Sequence, residues 1–297
     1  MTGGQSATKF RGVLILGLKI AAGLAVGYGV VAFLAWRFQE KLAFPGHKVR
    51  LIAPQSVGLE GGRIVTVTTS DGVLLKGWYL PPAGGGELGI KAPGLLWFYG
   101  NLESVSGLAP VVRELRLPEA ALLILDYRGY GESGGRPTEE GLYRDAEAAW
   151  HFLAARPEVD SSRIAVYGRS LGSAMALYLA ERKRVAAVVL DSPFTSARDM
   201  ARVHYGFLPR SLVRLSLDNL NRAGKIEAPL LVFHGTEDRI APPWMGEAVA
   251  RAGRARELVW IEGAGHNDTY DLGFSAYRRK LHQFLRSVLE TRARGQV

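Results

Sequence analysis

Ser170 has the surroundings that a serine needs to act as a nucleophile. It lies in Gly168-Arg169-Ser170-Leu171-Gly172. Before it, Arg163-Ile164-Ala165-Val166 reads as a short buried strand. After it, residues 174–180 are mostly good helix formers. A strand, a sharp turn and a helix therefore meet at the serine. A Cβ at position 168 or 172 would crowd that turn, which explains the two glycines. A serine hydroxyl is a poor nucleophile until a base takes its proton. The base is expected to be a histidine, oriented by a buried carboxylate. In chains with this elbow the acid and then the histidine follow the serine.

Six histidines are available. His47 falls in a connecting segment, His151 and His282 on helical stretches, and His204 in an irregular insertion. His234 ends a strand, where a His-Gly pair also suits a structural turn. His266 sits in the Gly-rich loop Gly263-Ala264-Gly265-His266-Asn267-Asp268, after the last strand, and is the expected base. Asp238 fits the acid, just past the strand Leu230–Phe233; Glu237 is adjacent and Asp191 ends the preceding strand. Asp268 is expected only to shape the His266 loop. A tetrahedral intermediate needs two preorganised donors. The expected pair is the Leu171 N–H, which follows the nucleophile, and the Asn101 N–H, in the loop after Leu95–Tyr99. This chemistry requires no cofactor and no metal.

The elements that must position these groups alternate. Residues 63–69 and 73–80 are β-rich and flank the hairpin signal Ser70-Asp71-Gly72. A Gly/Pro-rich loop covers residues 81–93. Buried strands follow at 95–99, 121–125, 163–166, 185–190, 230–233 and 258–261. Helices are expected at 108–115, 139–153, 174–180, 245–252 and 274–291. Thr138 caps the second of these, with Glu139 and Glu140 in its first turn. Such alternation implies an α/β fold with a mostly parallel central sheet flanked by helices. Loops at the strand C-termini hold the site in these sheets, and every candidate residue falls on one.

Upstream, Val13–Trp36 is apolar except for Lys19 and is long enough to cross a bilayer, which takes ~20 residues. Lys19 near one end can snorkel, and Trp36 and Phe38 suit the other interface. A cleaved signal peptide is the competitor, but the apolar run continues past Ala25-Val26-Gly27. The expected organisation is a tail (1–12), a transmembrane anchor (13–36), a linker (37–62) and a catalytic domain (63–297). With all candidate groups downstream of Arg63, the anchor is expected to serve location alone. Cations flank the span on both sides, so its orientation stays open.

The chain has 297 residues, 47% hydrophobic and 22% charged, which suits a globular domain with a sizeable core. It contains no cysteine, which excludes disulfides, thiol catalysis and thiolate metal sites. Its net charge is +9, yet it has no arginine-rich run or nucleic-acid motif, so no nucleic-acid partner is expected. The insertion at about 194–223 follows a strand C-terminus and is expected to form a small helical cap. It carries apolar residues and the pairs Arg198/Arg202 and Arg210/Arg214, whose spacing places each pair on one helical face. Such a cap suits anionic headgroups and a lipid-like acyl substrate.

From about Arg63 onward the chain resembles the α/β-hydrolases, and more narrowly their membrane-anchored Bem46-like branch. The resembling stretches are Tyr99-Gly100-Asn101, residues 126–133, Gly168–Gly172, Ser192-Pro193-Phe194-Thr195-Ser196, residues 234–238 and His266-Asn267-Asp268. The resemblance implies a serine hydrolase acting on esters or thioesters through a Ser170, Asp238 and His266 triad. A peptidase or amidase with the same triad is the alternative, as is a catalytically silent binding protein. Two departures stand out. Tyr99 replaces the His that relatives often carry, and Leu102-Glu103-Ser104 replaces a smaller, Gly-containing turn.

Overall fold

The computed structural model describes residues 3–83 and 91–294. Most of the expected Gly/Pro-rich loop at 81–93 lies outside the described residues. A single eight-stranded sheet forms the centre. Its strands are β1 (Arg63–Thr68), β2 (Leu74–Leu80), β3 (Ala92–Phe98), β4 (Ala121–Leu125), β5 (Val159–Arg169), β6 (Val188–Asp191), β7 (Leu230–Gly235) and β8 (Glu257–Ile261), in the order β1-β2-β4-β3-β5-β6-β7-β8. β2 pairs antiparallel with β1 and β4, and the pairs from β4 through β8 are parallel. The central strands are mostly apolar where helices cover both faces, although β5 carries a polar stretch at residues 160–163 near its start. All five residues of β4 and all six of β7 are buried.

The first helix, α1, runs from Gly3 to Ala43, longer at both ends than the expected anchor. Its described side chains are mostly exposed, and Phe10–Ala43 is long and apolar enough to cross a membrane. The expected linker is therefore helical through Ala43. Beyond that it packs into the domain: Phe44, Leu51 and Leu59 are buried core residues. Phe38 departs from helical geometry (φ −113°, ψ 15°) and redirects the last turn, so that the chain reaches the core at Phe44.

The other helices are α2 (Ala109–Leu115), α3 (Glu139–Ala154), α4 (Leu171–Arg182), α5 (Ala197–His204), α6 (Asn219–Ala223), α7 (Pro243–Ala252) and α8 (Thr269–Arg294). Thr138 caps α3 as expected, its side chain accepting from the Gly141 N–H. Ser196 caps α5 in the same way, through the Asp199 N–H. The cap insertion holds α5, a single 3-10 turn at Arg210–Leu212, and α6. Arg210 and Arg214 therefore do not share a helical face: the chain is already extended at Val213 (φ −81°, ψ 107°).

Candidate active site

Parallel pairing sets the site at one edge of the sheet. Arg169 is in register with Asp191, Asp191 with Phe233, and Gly235 with Ile261. The turns that leave β5, β7 and β8 thus emerge at the same end of the sheet, carrying Ser170, Asp238 and His266. Ser170 itself adopts φ 48° and ψ −115°, a conformation that costs a non-glycine residue on the order of 1–3 kcal/mol. Hydrogen bonds hold it there. Its N–H donates to the Asp191 carbonyl (2.8 Å), and its carbonyl accepts from the Ser173 hydroxyl (2.6 Å). A Cβ at Gly172 would collide with the Phe98 carbonyl, so only glycine lets α4 start this close to β3. Gly235 has a matching purpose. Its bare Cα lets the Ala264-Gly265 backbone cross β7, which brings His266 over Asp238.

The three side chains form one chain of hydrogen bonds. Ser170 Oγ lies 2.8 Å from His266 Nε2, and His266 Nδ1 lies 2.7 Å from Asp238 Oδ2. A carboxylate only accepts, so Nδ1 donates to Asp238 and Nε2 is left to accept from the serine hydroxyl. The other oxygen of Asp238 accepts the N–H groups of Ile240 (2.9 Å) and Ala241 (2.8 Å), which fixes the carboxylate. Asp238 is 2% exposed and His266 9%, so bulk water barely competes for these bonds.

The rival acids and bases are engaged elsewhere. Glu237 points to solvent. Asp191 is fully buried and accepts from Thr269 Oγ1 (3.0 Å), Tyr277 OH (3.1 Å) and Tyr167 OH (3.2 Å). Burial, with Asp191 close by, raises both phenol pKa values well above the usual range and keeps them donors. His234 is buried beneath Asp238. Its Nε2 donates to the Ala241 carbonyl (2.8 Å) and lies 3.4 Å from Asp238 Oδ2, and burial lowers its pKa. His282 donates to the Leu115 carbonyl at the end of α2 (3.0 Å). Asp268 accepts from the Gly265 N–H (2.7 Å) and so shapes the His266 loop.

Leu171 opens α4, and the N–H groups of a first helical turn have no intrahelical acceptor. Asn101 lies across the pocket from it. Its side chain is tied away, with Nδ2 donating to the Ala43 carbonyl (2.7 Å) and Oδ1 accepting from Tyr130 OH. Both residues line the same pocket as Ser170.

The residue before Ser170 carries no local signature in the sequence. Arg169 is 5% exposed and reaches three loops. It pairs with Glu103, donates to the His266 carbonyl (2.8 Å) and lies 3.6 Å from Asp191. Glu103 in turn accepts from the Gly100 N–H. The departure at 102–104 thus has a physical purpose: Glu103 ties the loop of Asn101 to the loop of His266 through Arg169. No local pattern announces this, because the partners lie 66 and 97 residues away in sequence. Tyr99 also earns an explanation. Its hydroxyl donates to Asp126 Oδ1 (2.8 Å) and anchors β3 to the loop after β4.

Above the triad lies a pocket of 810 Å³. Phe194, Leu208, Leu212 and Leu215 of the cap line one side, and Trp36, Gln39 and Leu42 of α1 line another. Residues of α1 therefore help to wall the pocket, whereas the sequence placed every candidate group after Arg63. Arg198, Arg202 and Arg210 also border the pocket, and no described carboxylate lies within ion-pair distance of them. Arg214 faces α1 instead, donating to the Trp36 carbonyl (3.2 Å) with its guanidinium 5.0 Å from the indole centroid.

Comparison with known proteins agrees with this architecture. The family model for the alpha/beta hydrolase fold matches residues 93–212. An uncharacterized protein of Mycobacterium tuberculosis is 39% identical over 275 residues, covering 91% of this chain and 94% of its own. Alpha/beta hydrolase domain-containing protein 17B of Homo sapiens is 39% identical over 165 residues, 55% of this chain and 56% of its own. Among solved structures, a Pyrococcus furiosus esterase shares the fold with a TM-score of 0.66 at 22% identity, covering 82% of this chain and 98% of that one. Family match, relatives and fold coincide, and the chain belongs to the α/β-hydrolase superfamily and is a hydrolase.

Proposed function

We propose that this hydrolase is a membrane-tethered serine hydrolase that cleaves carboxylic ester or thioester bonds through an acyl-enzyme. The observation that carries the reading is the Ser170–His266–Asp238 relay, with links of 2.8 and 2.7 Å, at the floor of an apolar pocket. Ser170 Oγ attacks the acyl carbon while His266 Nε2 takes its proton. Asp238 holds the imidazole in the required tautomer and stabilises the imidazolium that forms. The Leu171 and Asn101 N–H groups receive the oxyanion. His266 then returns the proton to the leaving oxygen or sulfur, and water repeats the cycle on the acyl-enzyme. The pocket's aliphatic and aromatic walls suit an acyl chain, and the span Phe10–Ala43 supports attachment to a membrane.

The test is covalent labelling of the full chain by a fluorophosphonate, together with hydrolysis of matched esters, thioesters and amides. Labelling and ester or thioester cleavage are expected in the parent protein, and both are expected to vanish in Ser170→Ala. Labelling that survives the substitution would place the nucleophile elsewhere.

A further inference from the structure

Four contacts make the end of α1 part of the domain rather than a stalk. Gln39 Oε1 accepts from the N–H groups of Arg214 (2.7 Å) and Leu215 (3.2 Å), and Gln39 Nε2 donates to the Leu212 carbonyl (3.3 Å). Arg214 grips Trp36 through its carbonyl and its ring. On the other side, the Ala43 carbonyl accepts from the side chain of Asn101, in the loop that faces Ser170. The same turns of α1 present Trp36 and Leu42 to the pocket, and Leu42 is 65% exposed there. A helix that only tethers the domain has no need of a side-chain fork into the cap, or of a bond to a catalytic-face loop.

The fourth contact sets depth. Tyr28 donates its hydroxyl to the Phe207 carbonyl at the cap tip (2.9 Å). Tyr28 lies eight residues before Trp36, about 12 Å further along the helix axis. It falls within the apolar run that the bilayer must cover. The cap tip therefore sits beside the membrane-crossing part of α1, with Tyr205 and Phe207 turned outward at 53% and 62% exposure. The Tyr28 bond satisfies the Phe207 carbonyl, which removes the cost of a bare backbone acceptor at that depth. Aromatic side chains are the residues that favour such a boundary.

We propose that α1 and the cap together form one acyl-chain channel that opens into the bilayer. The substrate is then an acyl amphiphile that reaches Ser170 sideways from the membrane, its chain lying between Trp36 and Leu42 on one wall and Leu208 and Leu212 on the other. This rests on the acyl-enzyme reading above, but its placement is tested independently of catalysis. The chain has no cysteine, so Phe207→Cys carries a single fluorophore. Glu227→Cys, exposed before β7 at the opposite edge of the sheet, is the control. The full-length protein is reconstituted in phosphatidylcholine vesicles with brominated acyl chains. Strong quenching at 207 and none at 227 is expected; equal, weak quenching at both sites overturns the placement. In the same vesicles, Leu42→Trp is expected to lower the dodecanoate-to-acetate ratio of kcat/KM for 4-nitrophenyl esters at least tenfold. An unchanged ratio in a variant that still takes the fluorophosphonate removes α1 from the channel. Failure of the parent chain to cleave either ester overturns the acyl-enzyme reading, and the quenching result still decides where the cap tip lies.

Discussion

At the floor of the pocket, Ser170 and Asp238 follow the buried ends of β5 and β7, His266 follows the half-buried edge strand β8, and hydrogen bonds link the three. At its roof, residues 194–223 hold an eight-residue helix with no buried side chain, one 3-10 turn and a five-residue helix. The floor is held by backbone register, which a side-chain change cannot slide. The roof is held largely by side-chain bonds: the Gln39 fork from α1, Glu139 of α3 accepting from the Ser216 and Leu217 N–H groups, and Asn219 donating to Ser173 of α4. On the proposed function, chemistry is thus tied to the register of the sheet. Choice of substrate is left to elements that sequence change can reshape without disturbing the sheet.

The largest effect belongs to the floor. Asp238→Asn and His266→Ala are each expected to lower kcat by on the order of 10³ or more, because triad members act as a unit. Glu237→Gln, on an exposed neighbour, is expected to stay within a factor of about three, as surface substitutions usually do. Steady-state kinetics on one soluble ester decides this. A larger loss in Glu237→Gln than in Asp238→Asn would break the assignment of the acid.

A second prediction concerns the strut beneath both loops. Arg169→Met leaves Glu103 without its partner and frees the His266 carbonyl. Removing one member of a buried pair costs about 3–5 kcal/mol. Glu103 is partly exposed (21%), so the lower end of that range applies. A denaturant midpoint should fall clearly. Glu103→Gln should fall less, because the amide oxygen still accepts from the Gly100 N–H. If Arg169→Met leaves both stability and kcat unchanged, the two loops are positioned without the strut.

These two cases also show how far sequence reaches. The hydrogen-bonded trio was legible as a candidate site because each member carries a local signature: Gly on both sides of Ser170, a strand end before Asp238, and a Gly-rich loop around His266. The strands of the sheet were legible from their apolar runs, with ends misjudged by a few residues at β3, β5 and β6. Arg169 and Glu103 were not legible, since their meaning is a contact between loops distant in sequence. The joint at Gln39 and Ala43 was hidden for the same reason. A polar stretch after an apolar helix reads as a linker until Phe44, Leu51 and Leu59 are seen inside the core.

The smallest effect belongs to the roof, where the five arginines of the cap divide by partner, Arg222 pairing with Glu181 of α4. Arg214 is committed to Trp36, and its loss should loosen the cap from α1. Arg198, Arg202 and Arg210 border the pocket with no described carboxylate to neutralise them. Arg198 and Arg202 lie one turn apart on α5, so they present their charge together. A cation near a membrane surface attracts an anionic group by about 1 kcal/mol, or roughly fivefold in affinity. Arg198→Gln with Arg202→Gln should therefore lower the ratio of kcat/KM for a dodecanoyl ester with a phosphate head over one with a neutral head. The expected fall is on the order of ten- to thirtyfold at low salt, if the two contributions add. It should shrink as salt shortens the Debye length from about 30 Å at 0.01 M to about 8 Å at 0.15 M. A ratio that ignores both the substitutions and the salt would mean that the arginines are merely solvated. The roof would then select by the shape of its apolar wall alone.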